Sequence, residues 1–193
     1  MSAGLVYVLE DALGDLSPGL SDEWATPQSL FERLHQEFKF DIDIAASDSN
    51  HKIDNYFTKE DNALHPDAHW DACGKVAWLN PPYTKAGGPI RKWMEAARAW
   101  AERGMCVVCL VPGHTADGWY QDVVLHRSVP PFAEDVFKGS YVRVVDDMLA
   151  FSWQQALVEH EVRIIPGRLK FTSPGVKSTT ARFPSHLVIF DGR

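Results

Sequence analysis

The chain has no run of the roughly 18 apolar residues needed to cross a bilayer, which excludes a membrane-spanning helix. Its first ten residues are apolar but lack a basic segment, so they do not read as a secretory signal. Cysteine is scarce, with only Cys73, Cys106 and Cys109. An odd, sparse set points to a reducing compartment. Cys106 and Cys109 have CxxC spacing, but they lie in an apolar run and no second pair completes a zinc site. Buried free thiols are the expectation. The eight histidines show no HxxxH spacing on a helical face, and no metal is expected. Positive charge is also short: 19 Lys and Arg stand against 26 Asp and Glu, a net charge of −7. That balance disfavours a polyanionic ligand without excluding one, because local patches outweigh the sum. Any nucleic-acid affinity is expected to be modest and salt-sensitive. There are no internal repeats and no low-complexity tracts.

What is present is an ordinary globular composition, 45% hydrophobic and 23% charged, over 193 residues. That is enough for one α/β domain with a full core. Residues 1–21 carry no pattern and read as an N-terminal arm. Thr26-Pro27 reads as a helix start, with Thr as N-cap and Pro at the first helical position. Leu30, Phe31, Leu34 and Phe38 form the apolar stripe that follows. Residues 40–45 alternate apolar and acidic, as a strand does, and open into a polar loop at 47–50. A short strand is expected at 55–58, and strands at 76–79 and 105–111. The run 88–103 is an amphipathic helix, with Ile90, Trp93, Met94, Ala97 and Trp100 on one face. A further helix is expected over 117–126. Near the end, 162–165 and 168–172 flank Pro166-Gly167 as a hairpin would, and 186–190 is a last apolar strand. Strands alternating with helices predict a mainly parallel, doubly wound sheet with an antiparallel C-terminal hairpin edge.

The most informative residues are Asn80-Pro81-Pro82-Tyr83, directly after the apolar run 76–79. A buried strand ending this way suits one chemical task, holding a planar amino group still. The Asn80 side-chain carbonyl and the Pro81 main-chain carbonyl can both accept from an exocyclic NH2. Two prolines stiffen the loop, so the acceptors are preorganised. The Tyr83 ring offers a stacking face.

The order of motifs resembles that of the phage-type, Dam-like DNA N6-adenine methyltransferases. The matching segments are Asp22-Glu23-Trp24-Ala25-Thr26-Pro27, 40–47, Tyr56-Phe57-Thr58 with Asp61, Asn80-Pro81-Pro82-Tyr83 and Val111-Pro112 with Trp119. Gly167-Arg168-Leu169-Lys170-Phe171 and Phe183-Pro184-Ser185 complete the series. The resemblance implies a class I S-adenosylmethionine-dependent methyltransferase, a Rossmann-like α/β fold, as a single domain over 22–193. It implies catalytic roles for Asn80, Pro81, Pro82 and Tyr83. It implies S-adenosylmethionine as cofactor, with Asp43, Ala45 and Ser47 at its methionine end. Trp24 and Thr26 would close over that end, and Asp61 would accept from the cofactor's adenine. Tyr56 or Phe57 would pack against that adenine or in the core. The partner implied is DNA, as duplex, and the location the cytoplasm of a bacterial host.

Contacts to phosphate are expected from Lys85, Arg168 and Lys170, with Arg91, Lys92, Lys177 and Arg182 nearby. About thirty residues, at 127–160, depart from the family pattern as an insertion. Other amino acceptors remain open: cytosine N4, an RNA base or a protein glutamine. A binding-only remnant of the fold is a further alternative.

Overall fold

The computed structural model describes residues 25–83, 89–125, 159–173 and 176–193. The N-terminal arm, Trp24, Lys85, the insertion up to residue 158 and the side chain of Lys177 lie outside the described residues.

Helix α1 spans Gln28–Phe38 and buries Phe31 and Leu34. Leu30 and Phe38 pack beside them, so the expected stripe holds. The start of α1 differs from expectation. Pro27 occupies the cap position and no side chain caps the helix. Thr26 turns inward instead and is only 2% exposed. The helix stops at Lys39, whose left-handed backbone (φ 58) returns its N–H to the His35 carbonyl. Phe40 then folds back against Phe31, with ring centroids 5.6 Å apart.

Strand β1 is only Ile42–Asp43, shorter than the alternating pattern predicts. The expected strand at 55–58 is a single bridge from Tyr56 to Asp43. Strands β2 (Val76–Leu79) and β3 (Cys106–Pro112) match their apolar runs. Helix α2 spans Ile90–Ala101 and buries the five-residue face of Trp93, Met94, Ala97, Trp100 and Ala101. The helix expected after Asp117 is centred on a single π-turn at Tyr120–Val124.

The C-terminal strands are arranged differently from the predicted hairpin. Strand β4 (Glu159–Ile164) pairs not with β5 (Lys170–Ser173) but with β7 (Ser185–Asp191). Strand β5 pairs with β6 (Val176–Thr180) in a separate two-stranded sheet. Pro166-Gly167 is therefore a corner between two sheets. Gly167 adopts φ +78 there, a conformation that a side chain would strain. The main sheet runs β1-β2-β3-β7-β4. Its first three strands are parallel, and β7 lies antiparallel between β3 and β4. The last strand is thus interior, not an edge. The residues of 159–160 assigned to the insertion begin β4.

Every residue of β2 and β3 is buried, as expected of strands covered on both faces. On one face Ala77, Leu79, Val107, Cys109, Val188 and Phe190 pack under α2. On the other Val76, Trp78, Val108, Leu110, Leu187 and Ile189 pack under α1 and against Phe171 of the small sheet. Cys106 and Cys109 are free and buried, and Cys73 is free and exposed. Burial pushes the Cys106 thiol up to about 11, so it stays protonated.

Candidate active site

Two parallel neighbours, β1 and β2, end on the same side of the sheet, with Asp43 level with Trp78. Asn80 follows one residue after β2, so the acid and the amide reach one cleft. Its lining is Ala25, Thr26, Asp43, Ala45, Asn50, Lys52, Trp78 and Asn80, with about 20 Å³ of room between them. That admits about one water-sized group, the tip of a larger ligand. Four of the residues named from sequence, Thr26, Asp43, Ala45 and Asn80, meet here.

Asp43 is 3% exposed. Its Oδ2 accepts from the Lys52 main-chain N–H at 3.1 Å, and its Oδ1 from the Ala45 N–H at 3.4 Å. Burial outweighs these bonds and pushes the carboxyl up from 3.8 to about 6, with Lys52 and His51 the cations opposing the rise. Between those values the folded protein binds more protons than the unfolded chain. Stability therefore falls as pH rises through that window. Raising the group from 3.8 to about 6 corresponds to about 3 kcal/mol at neutral pH. We expect Asp43→Asn to gain on the wild type by up to that amount between pH 4 and pH 7, in urea unfolding without ligand. A difference between the two proteins that does not change with pH refutes this account of Asp43.

The Thr26 hydroxyl is buried without a hydrogen-bond partner. Buried polar groups seldom stay unpaired, and an unpaired donor beside a buried acid marks a place prepared for a polar ligand. The amino-acid end of the S-adenosylmethionine that the sequence resemblance implies, with a cation for Asp43 and an anion for the Thr26 hydroxyl, fits this pair.

Tyr83 is half-buried. Its hydroxyl lies 2.9 Å from Asn80 Oδ1 and 2.9 Å from the Leu110 carbonyl oxygen near the end of β3, sharing one proton between two acceptors. Burial holds this phenol far above its usual range, so it donates and does not ionise. Its ring meets Phe183 edge to face, with centroids 5.7 Å apart. The side chain thus braces the Asn80 amide as well as offering a ring. Pro81 is buried and Pro82 half-buried.

Other expected residues stand apart from the cleft. Ser47 does not line it. Its N–H donates to Asn50 Oδ1 at 2.7 Å, closing the loop that brings Asn50 and Lys52 in. Asp61 sits on an exposed turn, where its Oδ2 accepts from the Thr58 N–H at 2.8 Å and hydroxyl at 2.7 Å. Those bonds hold its carboxyl below the usual range. Phe57 packs on the core, and Tyr56 stacks on His51 with centroids 4.4 Å apart. Arg168, Lys170 and Arg182 are exposed on and beside the β5–β6 sheet. That sheet reaches the cleft through main-chain bonds between Thr172 and Ala25. Arg91 is bound to Asp122 at 2.6 Å. Among the described residues no group of three or more His, Cys, Asp or Glu is placed to hold a metal ion. No described helix is long and apolar enough to cross a membrane.

Sequence reasoning missed Lys52 and Asn50. Both lie in a polar loop whose composition matches any solvated turn. The one local signal is the pairing of Ser47 with Asn50, three residues apart, which favours a closed turn.

Residues 15–128 match the family described as DNA N-6-adenine-methyltransferase (Dam). The match holds the cleft residues and Asn80-Pro81-Pro82-Tyr83, and ends before β4. A DNA N-6-adenine-methyltransferase of Haemophilus phage HP1 (strain HP1c1) is 43% identical over 65 residues, 33% of this chain and 35% of that protein. One of Escherichia phage T1 is 28% identical over 102 residues, 52% of this chain and 40% of that protein. The chain therefore spans less than half the length of either relative. No solved structure matches. With more than half its residues inside the family match, the chain belongs to the DNA N-6-adenine-methyltransferase (Dam) family.

Proposed function

We propose that this chain transfers a methyl group from S-adenosylmethionine to the exocyclic N6 of an adenine in duplex DNA. The observation that carries the reading is the convergence of Asp43 and Asn80 on one cleft at the carboxyl ends of adjacent parallel strands. That is where open α/β sheets hold ligands. A parallel β1-β2-β3 core supports the finer assignment to the class I, Rossmann-like methyltransferase fold, over a single domain at 22–193.

The cofactor supplies an electrophilic methyl group on a sulfonium. Thr26, Asp43, Ala45 and Lys52 would hold its amino-acid end. Trp24, Ser47 and Asp61 are proposed as outer contacts.

The adenine amine is a poor nucleophile because its lone pair is delocalised into the ring. Asn80 Oδ1 and the Pro81 carbonyl would accept its two hydrogens and favour a pyramidal nitrogen. Both acceptors also stabilise the positive charge that develops on nitrogen as the new N–C bond forms. As that bond forms the sulfur–methyl bond would break, its electron pair staying on sulfur as the thioether of S-adenosylhomocysteine, and one proton would pass from the nitrogen to solvent water. The Tyr83 hydroxyl keeps the Asn80 amide from rotating, and its ring stacks on the base. An N6 atom inside a duplex lies out of reach, so the base is flipped into the cleft. Lys85, Arg168 and Lys170 would contact the phosphates.

Phage relatives support action inside a bacterial host cell. The test is to incubate the protein with tritiated S-adenosylmethionine and unmethylated duplex DNA, then digest and identify the labelled nucleoside. Label in N6-methyl-2′-deoxyadenosine is expected. Label in N4-methyl-2′-deoxycytidine, or in no nucleoside, overturns the assignment.

A further inference from the structure

Lys52 joins two parts of the cleft that ask for opposite charges. Its main-chain N–H donates to Asp43 Oδ2 at 3.1 Å. Its Nζ reaches the first residue of α1, donating to Gln28 Oε1 at 3.1 Å. The Asp43 side is a buried acid, which calls for a cation.

The α1 side calls for an anion, on three separate counts. The helix has no side-chain cap and no acidic residue in its first turn. The N–H groups of Leu30 and Phe31 reach the Pro27 carbonyl, which leaves those of Gln28 and Ser29 without an intrahelical acceptor, and the helix field there is positive. Thr26, two residues before the helix, is 2% exposed and lines the cleft with its hydroxyl unpartnered. Lys52 adds a primary ammonium at the same place. Glu32 stands behind it, accepting from Gln28 Nε2 at 3.2 Å, and orients the Gln28 amide so that its oxygen faces Lys52.

We infer that this end of the cleft recognises a zwitterionic α-amino-acid head, with the ammonium on Asp43 and the carboxylate on Lys52 Nζ, the Thr26 hydroxyl and the start of α1. The inference rests on the proposed use of S-adenosylmethionine and assigns Lys52 as the counter-ion of its carboxylate. A lysine that served only to balance Asp43 would not distinguish ligands by their carboxylate. A carboxylate counter-ion must.

Calorimetry on the full chain separates the two. The probes are S-adenosylhomocysteine, decarboxylated S-adenosylmethionine, which keeps the ammonium and lacks the carboxylate, and methylthioadenosine, which lacks both. Lys52→Met is expected to weaken S-adenosylhomocysteine roughly 10- to 100-fold, the scale of a charged hydrogen bond, while decarboxylated S-adenosylmethionine changes less than about threefold. Lys52→Arg recovers most of the loss. Thr26→Val is expected to weaken S-adenosylhomocysteine without lowering the unfolding midpoint, because it removes an unpaired buried hydroxyl at nearly constant volume. Equal losses for the carboxylated and decarboxylated ligands, or no loss with Lys52→Met, overturn the inference and leave the cofactor reading intact. Wild-type protein that binds none of the three overturns the cofactor reading and the inference with it.

Discussion

Replacing Asn80 with alanine is expected to lower the methylation rate by about 10²- to 10³-fold, the usual cost of removing one preorganised transition-state acceptor or donor. The affinity for S-adenosylhomocysteine should barely change. In the proposed mechanism Asn80 meets charge that develops at the acceptor nitrogen, whereas Asp43 on the neighbouring strand would hold the cofactor's amino-acid end. Single-turnover rates and calorimetry on the same preparation read the two quantities separately. Tyr83→Phe is the informative companion. It keeps the ring and removes the hydroxyl that lies 2.9 Å from both Asn80 Oδ1 and the Leu110 carbonyl. A freed amide samples more than one rotamer, so kcat is expected to fall roughly tenfold with KM for DNA little altered. Methylation by Asn80→Ala at the wild-type rate contradicts the proposed mechanism.

The largest expected effect on stability comes from Trp70, ten residues before Asn80. Trp70 is 0% exposed. Its ring stacks on Trp100 of α2 at 6.0 Å between centroids. Its Nε1 donates to the Ala63 carbonyl at 2.9 Å. The stretch 59–75 holds only a three-residue 3₁₀ turn of regular structure, so this side chain ties it to the core. Trp70→Ala is expected to cost about 3–5 kcal/mol, the transfer and cavity cost of a fully buried tryptophan. For a chain of this size that lowers Tm by roughly 10 °C or more. Trp70→Phe keeps most of the ring but leaves the Ala63 carbonyl unpaired, and should cost about 1–3 kcal/mol. Urea unfolding of both variants measures the difference. A loss below about 1 kcal/mol for Trp70→Ala shows that this stretch is anchored elsewhere.

Some errors of expectation have a common cause. Pro166-Gly167 favours a reversal of direction whether the flanking strands pair with each other or part into two sheets. Strand β4 joins β7 because β7 needs a second neighbour in the main sheet. Phe171 of β5 is buried under α1 instead, and β5 takes β6 as its partner. Likewise, Thr before Pro favours a helix start, and a helix does start there. Yet Pro27 holds the cap position, and the Thr26 hydroxyl turns into the cleft, where no protein group meets it.

Local pattern alone determined β2, β3 and α2, because their apolar runs and helical stripe are long enough to admit one reading. It also determined that Asn80-Pro81-Pro82-Tyr83 would stand at the end of a buried strand, since two prolines cannot continue one. Tertiary structure alone decided which residues share the cleft. Asp43 and Asn80 meet because β1 and β2 are parallel neighbours, a choice made by burial on both faces of the sheet. Lys52 enters because Asp43, desolvated, draws the N–H of the following loop. A polar loop read by itself carries no mark of the buried acid that it will fold against.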